Sequence, residues 1–128
     1  MANSTMVSRQ WNGDKRMEKV NNYEWIKYNL PDGWHKLAQK MIEECEAAEP
    51  DFEIIDLKEK WGMICMCAYP CTDEILEIEH YYERLSARTC CKCGAPAVKY
   101  STGWILPWCD ECGTDDEKYY KRFEDGQD

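Results

Sequence analysis

Two short runs of this chain carry residue types spaced for metal chemistry. Cys90-Cys91-Lys92-Cys93-Gly94 and Cys109-Asp110-Glu111-Cys112-Gly113 each hold a Cys-x2-Cys pair followed by glycine, and fifteen residues lie between the pairs. Two residues between thiolates let one tight turn aim both sulfurs at one ion. The glycine takes a backbone conformation that other residues resist, so neighbouring N–H groups can point at the sulfurs. The spacing therefore predicts a single tetrahedral zinc centre ligated by Cys90, Cys93, Cys109 and Cys112. A shell closed by four sulfurs leaves no position for a reactive water, so this zinc is expected to build structure and to do no chemistry. The alternative is a pair of disulfides or free thiols.

Other residues offer weaker chemistry. Cys65, Cys67 and Cys71, with Cys45 or His80, form a candidate second metal site, but their spacing fits no standard zinc pattern. The competing reading treats them as small buried hydrophobes. Cys91 lies between two ligands and reads as a bystander. His35 and His80 stand in no metal-protease arrangement, and nothing in the spacing pairs either with a thiol to make a nucleophile. Asp56 and Glu59 flank a turn and form a candidate magnesium pair. Carboxylates are so abundant here that such a pair carries little weight.

These groups must be positioned by a small set of elements. Trp34, Leu37, Ala38, Met41, Ile42 and Cys45 fall at helical spacing and form one apolar stripe, following the Pro31-Asp32-Gly33 turn and ending before Pro50. Asp51 to Asp56 reads as a first strand with Phe52, Ile54 and Ile55 as its apolar positions. Trp61-Gly62 reads as a turn and Met63 to Tyr69 as a second strand, making a β-hairpin in which Cys65 and Cys67 share one face. Thr72 is a good helix N-cap for a segment with Ile75, Ile78, Tyr82 and Leu85 at helical spacing, running into the first cysteine pair. Val98 and Tyr100, then Trp104, Leu106 and Trp108, alternate about Ser101-Thr102-Gly103 and predict a short hairpin between the cysteine pairs. Gly113 to Glu117 is expected to cap a terminal helix through Tyr119, Tyr120 and Phe123. The fold class expected is α+β: two helices with a β-hairpin, then a four-cysteine zinc ribbon and a short terminal helix. By residue, 1–22 is expected to be a mobile or loosely docked arm, 23–88 the α+β body, 89–113 the ribbon and 114–128 a short helix and tail.

The chain has 128 residues and a formal net charge of -9, unevenly placed. Residues 43–83 hold thirteen acids against two lysines, giving -11, whereas residues 84–109 hold four basic residues and no acid, giving +4. No stretch approaches the ~18 apolar residues of a membrane span. The N-terminal residues lack the apolar run of a signal peptide, so a cytoplasmic location is expected, and nine cysteines there point to metal ligation with buried thiols. An electronegative surface repels nucleic-acid phosphates and attracts basic proteins. Glu43, Glu44, Glu46, Glu49, Asp51, Glu53, Glu74 and Glu77 are the candidate partner-binding carboxylates. Read blandly, they keep a small protein soluble. Tyr81, Tyr82, Trp104 and Trp108 read as core and ribbon cover, an exposed subset of which would make interface anchors. Arg84, Arg88, Lys92 and Lys99 with Tyr100 and Trp104 form the opposite candidate, a nucleic-acid footprint.

Three stretches resemble a known group. Ile55 to Ile64 (Ile-Asp-Leu-Lys-Glu-Lys-Trp-Gly-Met-Ile) resembles the I-K-E-K-F-G-x-L hairpin of a group of small phage and prophage proteins. Glu83 to Pro96, containing Ser86, Thr89, Cys90, Cys93, Gly94 and Pro96, resembles their S-x-x-T-C-x-x-C-G-x-P run. Gly103 to Cys112 resembles their G-W-x-x-x-L-C-x-x-C run, so the likeness covers roughly residues 30–113. The group usually has apolar or charged residues where Cys65 and Cys67 stand. Small size, acidity and a four-cysteine zinc also make the chain similar to a zinc-bearing type II anti-CRISPR protein. That resemblance implies a phage-encoded, non-enzymatic inhibitor acting in the host cytoplasm. It would bind a CRISPR-Cas effector nuclease on a basic DNA-facing surface, such as the recognition lobe, and block DNA loading or cleavage without binding DNA itself. The alternative implied is a nucleic-acid-binding or regulatory phage protein built on a zinc ribbon.

Overall fold

The computed structural model of the protein describes residues 21–123. Its order is α1 (Glu24–Asn29), a 3-10 turn (Asp32–Trp34), α2 (His35–Ala48), β1 (Glu53–Lys60), β2 (Met63–Tyr69), α3 (Asp73–Ser86), β3 (Lys99–Ser101), β4 (Pro107–Trp108) and β5 (Tyr120–Arg122). It is a mixed helix-and-sheet fold with two antiparallel sheets, β1-β2 and β4-β3-β5. Among the described residues no helix is long and apolar enough to cross a membrane.

The apolar stripe of α2 does what its period demands. Trp34, Ala38, Met41, Ile42 and Cys45 are all buried, and they share one core with Leu57 and Ile64 of the hairpin and Ile75 and Tyr82 of α3. Thr72 caps α3, its Oγ1 accepting from the Ile75 N–H at 3.2 Å.

β1 is longer than its apolar pattern suggests and starts later, at Glu53. A register shift between Ile54 and Asp56 marks a bulge at Ile55. The extra residue lets Ile54 and Leu57 both face the core, where they are buried, and leaves Ile55 exposed. Cys65 and Cys67 do share a face, opposite Lys58 and Asp56.

Side chains close both free edges of this two-stranded sheet. On β1, the Asn22 amide accepts from the Ile54 N–H at 2.9 Å and donates to the Phe52 carbonyl at 3.1 Å, in the manner of a neighbouring strand. On β2, the Ser86 hydroxyl accepts from the Ile64 N–H at 2.8 Å. These bonds occupy part of each edge that another chain could otherwise pair with. Asn22 is 1% exposed, so the expected boundary of a loose arm at residue 22 is corrected: Asn22 belongs to the body. The rest of that expectation, with Trp11 and Val20, lies outside the described residues.

The expected terminal helix is not formed. Residues 120–122 are instead a strand that pairs with Lys99–Ser101. The reason lies in the backbone groups a helix would need. The Thr114 carbonyl accepts from the buried Lys99 Nζ at 2.7 Å, and the Lys118 N–H donates to the Asp116 side chain at 2.9 Å. Arg122 then pairs with Asp110 at 3.0 Å, and Phe123 lies under the Arg88 guanidinium at 4.0 Å. The cysteine-rich module therefore runs on through residue 123.

Candidate metal centre

The loop after α3 and the β4 end bring Cys90, Cys93, Cys109 and Cys112 together, with all four sulfurs within 4.8 Å of one another. Cys93 and Cys109 Sγ are 3.6 Å apart. Metal–sulfur bonds of about 2.3 Å in a tetrahedron need sulfurs about 3.8 Å apart, so the four positions suit one ion. All nine cysteines are unbridged.

Each cysteine pair sits on a turn. The Gly94 N–H donates to the Cys90 carbonyl at 3.0 Å, and the Gly113 N–H donates to the Cys109 carbonyl at 3.0 Å. Gly94 has φ +85, the left-handed conformation expected of the glycine after each pair, whereas Gly113 does not adopt it. The turn then directs the Ala95 N–H to the Cys93 sulfur at 3.5 Å.

The thiols of the cluster are shifted in opposite directions, Cys90 down and Cys93 and Cys112 up. Burial pushes the Cys90 thiol up, but backbone N–H groups of Cys93, Cys109 and Lys92 outweigh it and bring the thiol down to about 6. Cys112 is pushed up to about 12 by burial and by the neighbouring cysteines. Four sulfurs this close cannot all ionise without a cation between them. A metal ion bound there would supply that charge and hold all four as thiolates.

Cys91 stays outside the cluster. Its thiol is buried and pushed up to about 12, first by burial and then by Cys90. Its backbone is the fastener instead: its N–H donates to the Pro107 carbonyl at 2.9 Å, and its carbonyl accepts from the Gly33 N–H at 2.8 Å. Trp34 adds a second tie, with Nε1 donating to the Thr89 carbonyl at 2.9 Å. The metal module is thus clamped to the helical body at the turn that starts α2. Gly33 and Trp34 are site-supporting residues that cysteine spacing alone does not reveal.

The other candidates separate. Cys65, Cys67 and Cys71 join no convergent metal-ligating group among the described residues. Cys45 is buried in the core and pushed up to about 12, chiefly by burial, then by Glu44, Glu46 and Glu79. Asp56 and Glu59 make no magnesium pair: Asp56 lies opposite Cys67 on the outer face and pairs with Lys58 at 3.2 Å, whereas Glu59 lies opposite Ile64 on the inner face. His35 contacts the Leu30 carbonyl at 3.1 Å. His80 is drawn together with Glu79 and Glu83 on one turn of α3, a grouping that sequence reasoning passed over.

Of the candidate partner-binding carboxylates, Glu43 and Glu44 are exposed on α2, and Glu74 and Glu77 are exposed on α3. Glu46 accepts from the Asn22 amide at 2.9 Å, and Glu44 accepts from the Tyr82 hydroxyl. Asp51 is exposed in the turn before β1, and Glu49 and Glu53 are half-buried on either side of it. Burial raises the Glu79 carboxyl, and Glu83 raises it further. On the basic side, Lys99 is 1% exposed, with Asp110 and Asp115 at 3.4 and 3.5 Å, so it is withdrawn from any phosphate-binding footprint. Compared with models of known families, with curated proteins and with solved structures, the chain has no match in any of the three.

Proposed function

We propose that the protein is a non-enzymatic docking module, stapled by one structural zinc ion on Cys90, Cys93, Cys109 and Cys112, that engages a basic protein. The partner proposed is a type II CRISPR effector nuclease, covered on a DNA-facing basic surface such as the recognition lobe. The observation that carries the docking reading is the concentration of acids over residues 43–83, thirteen against two lysines, of which Glu43 and Glu44 on α2 and Glu74 and Glu77 on α3 are exposed. Such a field speeds encounter with a basic surface and fades with salt. A closed four-sulfur zinc agrees with a structural and not a catalytic metal.

Two measurements test this. Native mass spectrometry of the whole protein should give one zinc per chain, lost in Cys109→Ser and kept in Cys71→Ser. The purified protein should inhibit target cleavage when mixed with the guide-loaded nuclease before DNA, and should not shift labelled DNA alone at physiological salt. DNA binding, or cleavage indifferent to order of addition, overturns the nuclease reading.

A further inference from the structure

The two hairpin tips of the molecule meet at a feature the docking reading does not use. At one tip Trp61 has φ +56, a conformation that costs a bulky residue energy, and its side chain is 70% exposed. At the other tip Trp104 is 74% exposed. The tips touch through Gly62, where an added Cβ would lie 3.1 Å from the Ile105 carbonyl. One carboxylate holds the pair in place: Glu59 accepts from the Gly62 N–H at 2.9 Å and from Trp104 Nε1 at 3.1 Å. An open cleft of about 330 Å³ lies between them, lined by Glu59, Lys60, Trp61, Gly103, Trp104 and Ile105.

Two indoles kept in water around an anchored carboxylate suit a cation. Indole faces attract guanidinium and ammonium groups, and a carboxylate at the base adds charge and hydrogen-bond acceptors. The protein does not fill this place itself. Among the described residues its four cation–ring contacts involve Tyr28, Phe123, Tyr120 and Tyr119, and neither Trp61 nor Trp104. Lys60 borders the cleft but makes no ion pair with Glu59 among the described residues. The net charge of -9 favours a basic visitor over long range.

We propose that Glu59, Trp61 and Trp104 form a clamp for an arginine side chain presented by a basic protein partner. The proposal rests on the docking reading and names the group that is recognised. A planar guanidinium stacks on indole and reaches a carboxylate with its N–H fork, which makes arginine a better occupant than lysine. The two-residue turn between β1 and β2 requires positive φ at both Trp61 and Gly62, and it sets the Trp61 side chain on the rim of the cleft.

The test is a titration of the zinc-loaded, nitrogen-15-labelled protein with the peptide acetyl-Gly-Arg-Gly-Arg-Gly-amide, read at the indole N–H signals. A matched peptide with citrulline for arginine is the neutral control. Trp61 and Trp104 signals should move saturably with arginine and not with citrulline. Trp61→Ala should weaken binding about two- to fivefold, the size of one exposed cation–π contact, and Trp61→Phe should recover part of it. Glu59→Gln should weaken it, because the amide keeps one oxygen to accept from either Trp104 Nε1 or the Gly62 N–H and loses the charge. Movement at other tryptophans only, or equal binding of citrulline, overturns the clamp. If the arginine shifts are present but the nuclease is not inhibited, the clamp stands and the choice of partner falls. Inhibition unchanged in Trp61→Ala with no arginine shifts has the reverse meaning.

Discussion

Gly33→Ala tests whether the metal module and the helical body are one mechanical unit. Gly33 lies more than fifty residues before Cys90, yet a Cβ there would collide with the Cys90 carbonyl oxygen, and would lie 2.7 Å from the Cys91 carbonyl carbon and 2.8 Å from the Gly94 nitrogen. All three are backbone atoms of the turn that carries two ligands, so no side chain can swing away. The turn must move, and with it goes the 2.8 Å bond from the Gly33 N–H to the Cys91 carbonyl. Losing that bond and leaving a buried group without its partner costs about 1–3 kcal/mol. Forced overpacking adds about 1–3 kcal/mol. A total near 3 kcal/mol lowers the melting temperature by roughly 10 °C for a chain of this size. The displaced turn also carries Cys90 and Cys93, so metal affinity should fall together with stability. The assay is thermal melting of the metal-loaded protein, together with metal transfer to a colorimetric chelator. Gly103→Ala is the control, because a Cβ there meets nothing within 4 Å. If Gly33→Ala melts and holds metal like Gly103→Ala, the clamp between turn and body is not where the geometry puts it.

Asn22→Ala removes the side chain that closes the β1 edge through Ile54 and Phe52, and urea titration should show a loss of about 2–3 kcal/mol. Trp61→Gly should raise stability by about 1 kcal/mol in the same assay, since glycine takes the positive φ without cost, while arginine-peptide binding weakens. Glu79→Gln has a pH signature. Burial raises the folded carboxyl above its ordinary 4.5, with Glu83 adding to the rise, so the unfolded chain releases this proton first and the fold loses stability as pH rises through that window. The variant should therefore be more stable than the parent at pH 7, with the gain vanishing below pH 4.5, as followed by urea titration across pH.

The convergence of the four cysteines was legible in the sequence because a Cys-x2-Cys turn is a local device: the spacing already aims both sulfurs of each pair one way. The α2 stripe, the Trp61-Gly62 turn and the Thr72 cap were legible for the same reason, since each depends on residues within a few positions of one another. The C-terminal segment misled because its local signals, a glycine followed by acids and then aromatics, do cap helices. A buried lysine from β3 took the Thr114 carbonyl, and β3 offered a free edge, and neither is visible from residues 113–123 alone.

What the sequence by itself determined is the four-cysteine set that could hold a metal, the mixed helix-and-hairpin order and the strong negative charge, all of which follow from composition and short-range spacing. Tertiary structure alone decided that Asn22 bonds to a sheet edge, that Gly33 braces a cysteine turn, that Lys99 is buried, and that Trp61, Trp104 and Glu59 line one cleft. These arrangements join residues 30 or more apart, or set a charge inside a packed module. Their energies depend on the approach of two separately formed elements, and no local pattern encodes that distance.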